Sequence, residues 1–205
     1  MVAVNNNHSY TALLDRIGPA LVVTHSQSGP FGWQLGDARP ELVKSIIALE
    51  PEGPPFDNWV SPPFRPGYTV PGQGRPYGIT LLPVQYDPPI GSNASLLQRE
   101  TVPAISAENA ACGRQVGPAR KLVNLAQVPV LMVTSEASYH AVYDYCTAAY
   151  LQQAGVNVTY VSLPQIGIRG NGHFIFLEKN NLEVAEKVVA PWLAAVDEMG
   201  GSCLG

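Results

Sequence analysis

The chain has 205 residues, 46% hydrophobic and 14% charged, with a formal net charge of −4. That is enough for one domain with a substantial core, and an acidic balance without any basic cluster argues against a nucleic-acid partner. No apolar run approaches the ~20 residues that cross a bilayer, so no membrane partner is expected.

The opening residues, MVAVNNNH, carry neither the basic nor the apolar segment of a secretory signal. Tyr10 to Ile17 reads as a short helix stopped by Gly18-Pro19. Ala20-Leu21-Val22-Val23 is a short apolar run ending in β-branched residues, the pattern of a strand buried on both faces in a parallel sheet. Thr24-His25-Ser26-Gln27-Ser28-Gly29 follows, and then Pro30, which suits the first turn of a helix expected to reach about Asp37. Strand, tight turn, exposed serine and helix make the layout of a nucleophile elbow. In such a turn the hydroxyl stands clear of the sheet, and the helix N-terminus favours developing negative charge. The usual pattern is G-x-S-x-G; here Thr24 and Ser28 occupy the two small positions, and Thr24 is both larger and β-branched. From these residues alone, a strand that ends in a polar loop is an equal reading.

Lys44-Ser45-Ile46-Ile47-Ala48-Leu49-Glu50 is a second apolar run. With the helix between, the two strands form a βαβ unit and pair in parallel. Glu50 then sits at the carboxyl end of its strand, where open α/β sheets place their sites.

From Glu52 to about Asn109 the texture changes to dense Pro and Gly with scattered aromatics: Phe56, Trp59, Phe64, Tyr68, Tyr77 and Tyr86. The stretch is too long for an idle loop and too aromatic for a disordered linker. The expectation is a cap or lid insertion over a pocket, spanning about residues 52–115 of a single 205-residue domain. Short helices are expected near Leu96–Arg99 and Ala104–Cys112. A surface excursion with no role in binding is the alternative.

Regular alternation resumes with a third strand at Val128–Thr134. An amphipathic helix runs from Val142 to Ala154, a fourth strand covers Val158–Leu163, and a glycine-rich loop extends from Gly167 to His173. A last helix spans Leu182 to about Val196, and a frayed tail runs from Gly200 to Gly205. There are no internal repeats. Cys112, Cys146 and Cys203 form no C-x-x-C pair, so zinc is not expected. A Cys112–Cys146 disulfide and two unrelated buried thiols both stand open. N-x-S/T sequons at Asn7, Asn93 and Asn157 hint at a secreted parent.

Ser26, Glu50 and His173 thus end predicted strands or follow them, in the chain order serine, acid, histidine. A serine hydroxyl needs a base to take its proton, histidine can do so near neutral pH, and a carboxylate holds the imidazole in the right tautomer. These residues resemble the α/β-hydrolase superfamily, closest to a branch of fungal and bacterial serine esterases with a T-H-S-Q-[SG]-G elbow. The pieces that carry the resemblance are THSQSGPFGW (24–33), ALEPEG (48–53), VTSEASYH (133–140) and GNGHFIFLEKN (170–180).

The resemblance implies a three-layer α/β fold with a mostly parallel sheet. It implies hydrolysis of carboxylic esters through an acyl-enzyme, with Ser26 as nucleophile, His173 as base and Glu50 as orienting acid. The Gln27 backbone N–H would donate to the oxyanion. No metal or organic cofactor is called for. Glu136 after the later strand is the alternative acid. His25 is too close to Ser26 to be its base, His140 reads as a packing or capping histidine, and Ser28 would lie inside the helix start. The substrate would be a small-molecule ester, small to medium in size with an apolar part.

Such hydrolases carry several strands before the elbow strand, so the expectation is an N-terminally truncated chain whose open sheet edge could self-associate. The alternative function is a catalytically impaired hydrolase-like fragment or pseudoenzyme that binds apolar ligands or needs a partner chain.

Overall fold

The computed structural model describes residues 2–59, 69–70 and 74–201. Its frame is a four-stranded parallel sheet in the order β1-β2-β9-β10, built from β1 (Ala20–Ser26), β2 (Val43–Pro51), β9 (Val130–Thr134) and β10 (Val158–Ser162). The register aligns Val23 with Ile47, Ile47 with Leu131, and Leu131 with Thr159.

Strand alternation divides the core. Ile46, Ala48, Val130 and Met132 face one layer, where they meet Trp33 and Leu35 of α2 (Gly29–Ala38) and Ala148, Tyr150 and Leu151 of α3 (Asp144–Gln153). Ile47, Leu131 and Val133 face the other, against Val184, Val188, Trp192 and Leu193. That second layer is α4 (Asn181–Val184) and α5 (Ala190–Gly201), joined by a π turn at Ala185–Val189. Pro191 has no N–H to continue the regular ladder, which accounts for the offset one turn before it. Each large side chain buried in these layers contributes about 1.5–3 kcal/mol.

β1 departs from its expected burial on both faces. Leu21 is 46% and Val23 62% exposed. β1 ends the strand order, and the α4–α5 layer covers the β2, β9 and β10 part of that face without reaching it. On the opposite face Thr24 is buried. Before β1, α1 (Val2–Ile17) extends well ahead of the helix predicted from Tyr10. Gly18, at φ +83°, ends it by donating its N–H to the Leu14 carbonyl.

The Pro/Gly-rich segment makes short antiparallel pairs: β3 (Asn58–Trp59) with β4 (Thr69–Val70), β5 (Tyr86–Asp87) with β8 (Lys121–Leu122), and β6 (Arg99–Val102) with β7 (Cys112–Gln115). The helix expected at Leu96–Arg99 is a single 3₁₀ turn, Ala94–Leu96, capped by the Asn93 side chain. The helix expected at Ala104–Cys112 does not form. Ser106 Oγ accepts the Glu108 N–H and donates to Asn109 Oδ1, so side chains take the backbone into a turn instead.

Of the aromatics in this segment, Phe56 and Tyr86 are buried in the main core and Tyr77 packs against it. Phe56 meets Tyr150 edge-on at 5.4 Å. These rings fasten the segment to the sheet. Phe64 and Tyr68 lie outside the described residues. A disulfide joins Cys112 of β7 to Cys146 of α3, resolving the alternatives left open for these thiols. Cys203 and the tail beyond Gly201 lie outside the described residues.

Candidate active site

Ser26 closes β1 with φ +53°, a left-handed conformation that a serine adopts only where its surroundings impose it. Three contacts impose it here. Ser28 Oγ accepts the His25 N–H and donates to the His25 carbonyl, both at 2.8 Å, clamping the turn. At Gly29 a Cβ would fall 2.4 Å from Pro51 Cβ, so only glycine lets α2 start this close to the end of β2. At Gly32 a Cβ would lie 2.8 Å from Thr24 Cγ2. The room missing at Thr24 is thus supplied across the interface, by a glycine one turn into α2. The Gln27 N–H has no hydrogen-bond partner among the described residues.

Glu50 is the last residue but one of β2, has φ +45° and is fully buried. Its carboxylate is satisfied on every side: Oε1 accepts the Ser135 N–H at 2.8 Å, and Oε2 accepts the Ser138 hydroxyl at 2.6 Å and lies 2.6 Å from His173 Nδ1. A buried carboxylate is tolerated only with such partners. His173 rides on the glycine-rich loop, which is pinned from both sides. The Gly172 N–H donates to Glu178 Oε1, the Gly172 carbonyl accepts Ser135 Oγ, and the Asn171 and Asn180 amides bond reciprocally.

The His173 ring lies between two other imidazoles. His140 stacks on it at 4.6 Å with planes 7° apart, and His25 sits at 4.4 Å while donating from Nε2 to the His173 carbonyl. His140 is itself buried and held through Nδ1 by Asp144 at 3.0 Å and through Nε2 by the Tyr143 hydroxyl at 3.2 Å. Burial pushes the His140 pKa down to about 4, so it is neutral at pH 7. Burial pushes the Asp144 carboxyl well up, against the opposing hydrogen bond from Thr134.

Tyr139, at the start of the 3₁₀ turn Tyr139–Val142, completes the cluster. Its hydroxyl lies 3.5 Å from His173 Nε2, and Tyr139 shares with Ser26 the walls of one cavity. Burial raises the phenol's pKa, so it stays protonated. A cavity of about 180 Å³ opens in front of Ser26, with Gln27, Glu52, Tyr139, His140 and Tyr143 among its walls. A larger apolar hollow of about 350 Å³ lies elsewhere, between α1, β1 and α2.

Glu136 is not at the His173 imidazole. Its carboxylate holds Arg169 Nη1 at 2.6 Å and the Gly170 N–H at 2.9 Å, and these hydrogen bonds lower its pKa. Donor atoms of Glu50, His140 and His173 lie within 4.8 Å of one another, the one such group among the described residues that could hold a cation. The same atoms are engaged in the hydrogen bonds above, which account for their closeness.

The structure therefore pairs Glu50 with His173, sets Ser26 and Gln27 on the wall of a cavity that Tyr139 also lines beside His173 Nε2, and sets Glu136 apart on the loop behind. Sequence reasoning missed Ser135, Ser138 and Tyr139 as parts of the cluster, although all three lie in the VTSEASYH segment. The four-residue spacing of His140 and Asp144 was also legible as one helix face.

No protein-family model matches the chain. Among curated proteins, the probable secreted lipase phiG of Fungal sp. (strain ATCC 74256) is 51% identical over 189 residues, covering 92% of this chain and 50% of the relative. The chain spans about half the length of the curated relative it matches. Among solved structures, a novel bacterial esterase is similar over 92% of this chain and 42% of its own, at 17% identity and a TM-score of 0.53. That likeness is one of fold: a mostly parallel sheet between helical layers, the α/β-hydrolase arrangement.

Proposed function

On the premise of this α/β-hydrolase fold, we propose that the chain is a serine ester hydrolase that works through an acyl-enzyme. The observation that carries the reading is the pairing of a buried, fully hydrogen-bonded Glu50 with His173 at 2.6 Å, beside a serine held at positive φ on the neighbouring strand end. In this mechanism His173 takes the Ser26 proton as Oγ attacks the ester carbonyl, and Glu50 stabilises the imidazolium. The Gln27 N–H, at the start of α2, donates to the oxyanion. His173 then hands its proton to the departing alcohol, and a water repeats the sequence to release the acid. The neighbouring His140, kept neutral by burial, adds no charge against the imidazolium.

Substrates on this reading are small-molecule esters. The cavity at Ser26 suits a small ester, and the described part of the segment 52–115 serves as a cap that Phe56, Tyr77 and Tyr86 anchor to the core. The secreted lipase relative supports both ester chemistry and a secreted setting, with which the Cys112–Cys146 disulfide and the exposed sequon residues Asn93 and Asn157 agree. The exposed edge of β1 supports self-association at high concentration; sedimentation of a Val23→Lys variant with an unchanged sedimentation profile would remove that part of the proposal.

The test is hydrolysis of p-nitrophenyl acetate and labelling by a fluorophosphonate, in the parent chain and in Ser26→Ala. Activity and labelling that both disappear in the variant support the reading. Equal rates in the two proteins overturn it.

A further inference from the structure

We infer that Tyr139 is a specificity-determining residue that forms the wall of the alcohol side of the substrate site, and so limits which leaving groups the protein accepts. The inference rests on the serine-hydrolase reading above.

The argument follows from where the leaving oxygen must be. In acyl transfer it is bonded to the same carbon as the serine Oγ, and the base must reach it with Nε2 after first reaching Oγ. A polar atom that faces the serine across the same cavity and also lies near Nε2 marks that position. The Tyr139 hydroxyl does both: Tyr139 lines the cavity in front of Ser26, and its hydroxyl stands 3.5 Å from His173 Nε2. The oxyanion lies on another side, toward the Gln27 N–H and the N-terminus of α2. The Tyr139 hydroxyl thus holds the place of the ester's alkoxy oxygen, and substrate entry requires the phenol to turn aside.

The room it can turn into is restricted. The Tyr139 ring is packed against His173 at 4.9 Å, His140 at 4.4 Å and Tyr143 at 6.4 Å. Its backbone is fixed as well, because Ser138, directly before it, is tied to Glu50 Oε2 and caps the 3₁₀ turn through the His140 N–H. The remaining space is the cavity of about 180 Å³ in front of Ser26. A ring displaced only part-way stays beside the leaving group, where it leaves room for a small alcohol and collides with an extended one. The acyl group, on the other side of the reacting carbon, does not meet it.

The experiment compares kcat/KM for phenyl acetate and biphenyl-4-yl acetate, whose phenols are of similar acidity, in the parent, Tyr139→Ala and Tyr139→Phe. Phenyl acetate, propanoate and butanoate serve as an acyl series. The expected result is a preference of about tenfold or more for phenyl over biphenylyl in the parent, retained in Tyr139→Phe, which keeps the ring, and reduced to about threefold or less in Tyr139→Ala. Ratios within the acyl series stay as in the parent. An unselective parent overturns the inference without any variant, as does an unchanged alcohol preference in Tyr139→Ala or a shift confined to the acyl series. A parent that neither hydrolyses these esters nor labels at Ser26 with a fluorophosphonate overturns the serine-hydrolase reading itself, and this inference with it.

Discussion

Glu50 Oε2 sits 2.6 Å from His173 Nδ1, and the same carboxylate accepts the Ser138 hydroxyl and the Ser135 N–H. Both carboxylate oxygens are engaged, Oε1 by Ser135 and Oε2 by Ser138 and His173, so the direction toward the imidazole is fixed before substrate arrives. Glu50→Gln keeps the shape and removes the charge and one acceptor. We expect kcat for p-nitrophenyl acetate to fall by about 10⁴, the scale for losing an orienting carboxylate, with KM little changed. Glu136→Gln, which loosens only the Arg169 and Gly170 contacts, should stay within about tenfold of the parent. The opposite ranking would transfer the orienting role to Glu136.

The order of strands and helices was legible because it is periodic. Ile46, Ile47 and Ala48 in β2 and Leu131, Met132 and Val133 in β9 read as continuous apolar runs, since both faces of these strands are covered. β1 has the same apolar content, but its environment depends on neighbours that no local pattern encodes, and two of its residues point outward. Residues 104–112 have helical composition, yet one serine side chain and one disulfide draw them into a turn and a strand. At the site, the residue types of Ser26, Glu50 and His173 announced their chemistry. Ser135 and Ser138 did not, because a serine that orders a carboxylate is indistinguishable in sequence from one in a loop.

The pairing of Thr24 with Gly32 explains how this elbow accommodates a β-branched residue two positions before its serine. Gly32→Ala places a methyl 2.8 Å from Thr24 Cγ2, and both sites are buried. That overpacking should destabilise the chain by about 1–3 kcal/mol. Thr24→Ser removes the offending methyl, so the double variant should recover most of the loss. Strictly additive effects in denaturant unfolding would show that the clash is relieved elsewhere.

The Cys112–Cys146 disulfide fastens the β6–β7 pair to α3 across 34 residues of sequence. Constraining a loop of that size in the unfolded chain stabilises the folded state by about 3–4 kcal/mol in the chain-entropy view. Cys112→Ser/Cys146→Ser should therefore lower Tm by roughly 10 °C. The Glu50–His173 pair draws on neither cysteine, so specific activity at low temperature should survive. A double variant as stable as the parent would mean that the packing of Phe56 and Tyr150 already holds this segment in place.

Two buried groups give stability opposite dependences on pH. Burial raises the Asp37 carboxyl to about 6, against the Gln85 N–H that it accepts at 3.0 Å. Its folded value exceeds its unfolded one, so its contribution is complete below ~3.9 and is lost as pH rises through about 6. His140 is the reverse: burial lowers it to about 4, so its contribution is present above ~6.5 and is lost as pH falls toward about 4. Between these limits acidification gains from Asp37 what it loses at His140, and the parent's Tm should change little. Asp37→Asn retains the acceptor for Gln85 and removes the titration. Its Tm should exceed the parent's by a few degrees at pH 7.5, where the parent buries a charge, and fall more steeply than the parent's between pH 6.5 and 4.5. Asp144, also raised by burial, is present in both proteins and drops out of the comparison. Parallel Tm curves for the two proteins across this range would show that Asp37 is already solvated in the folded state.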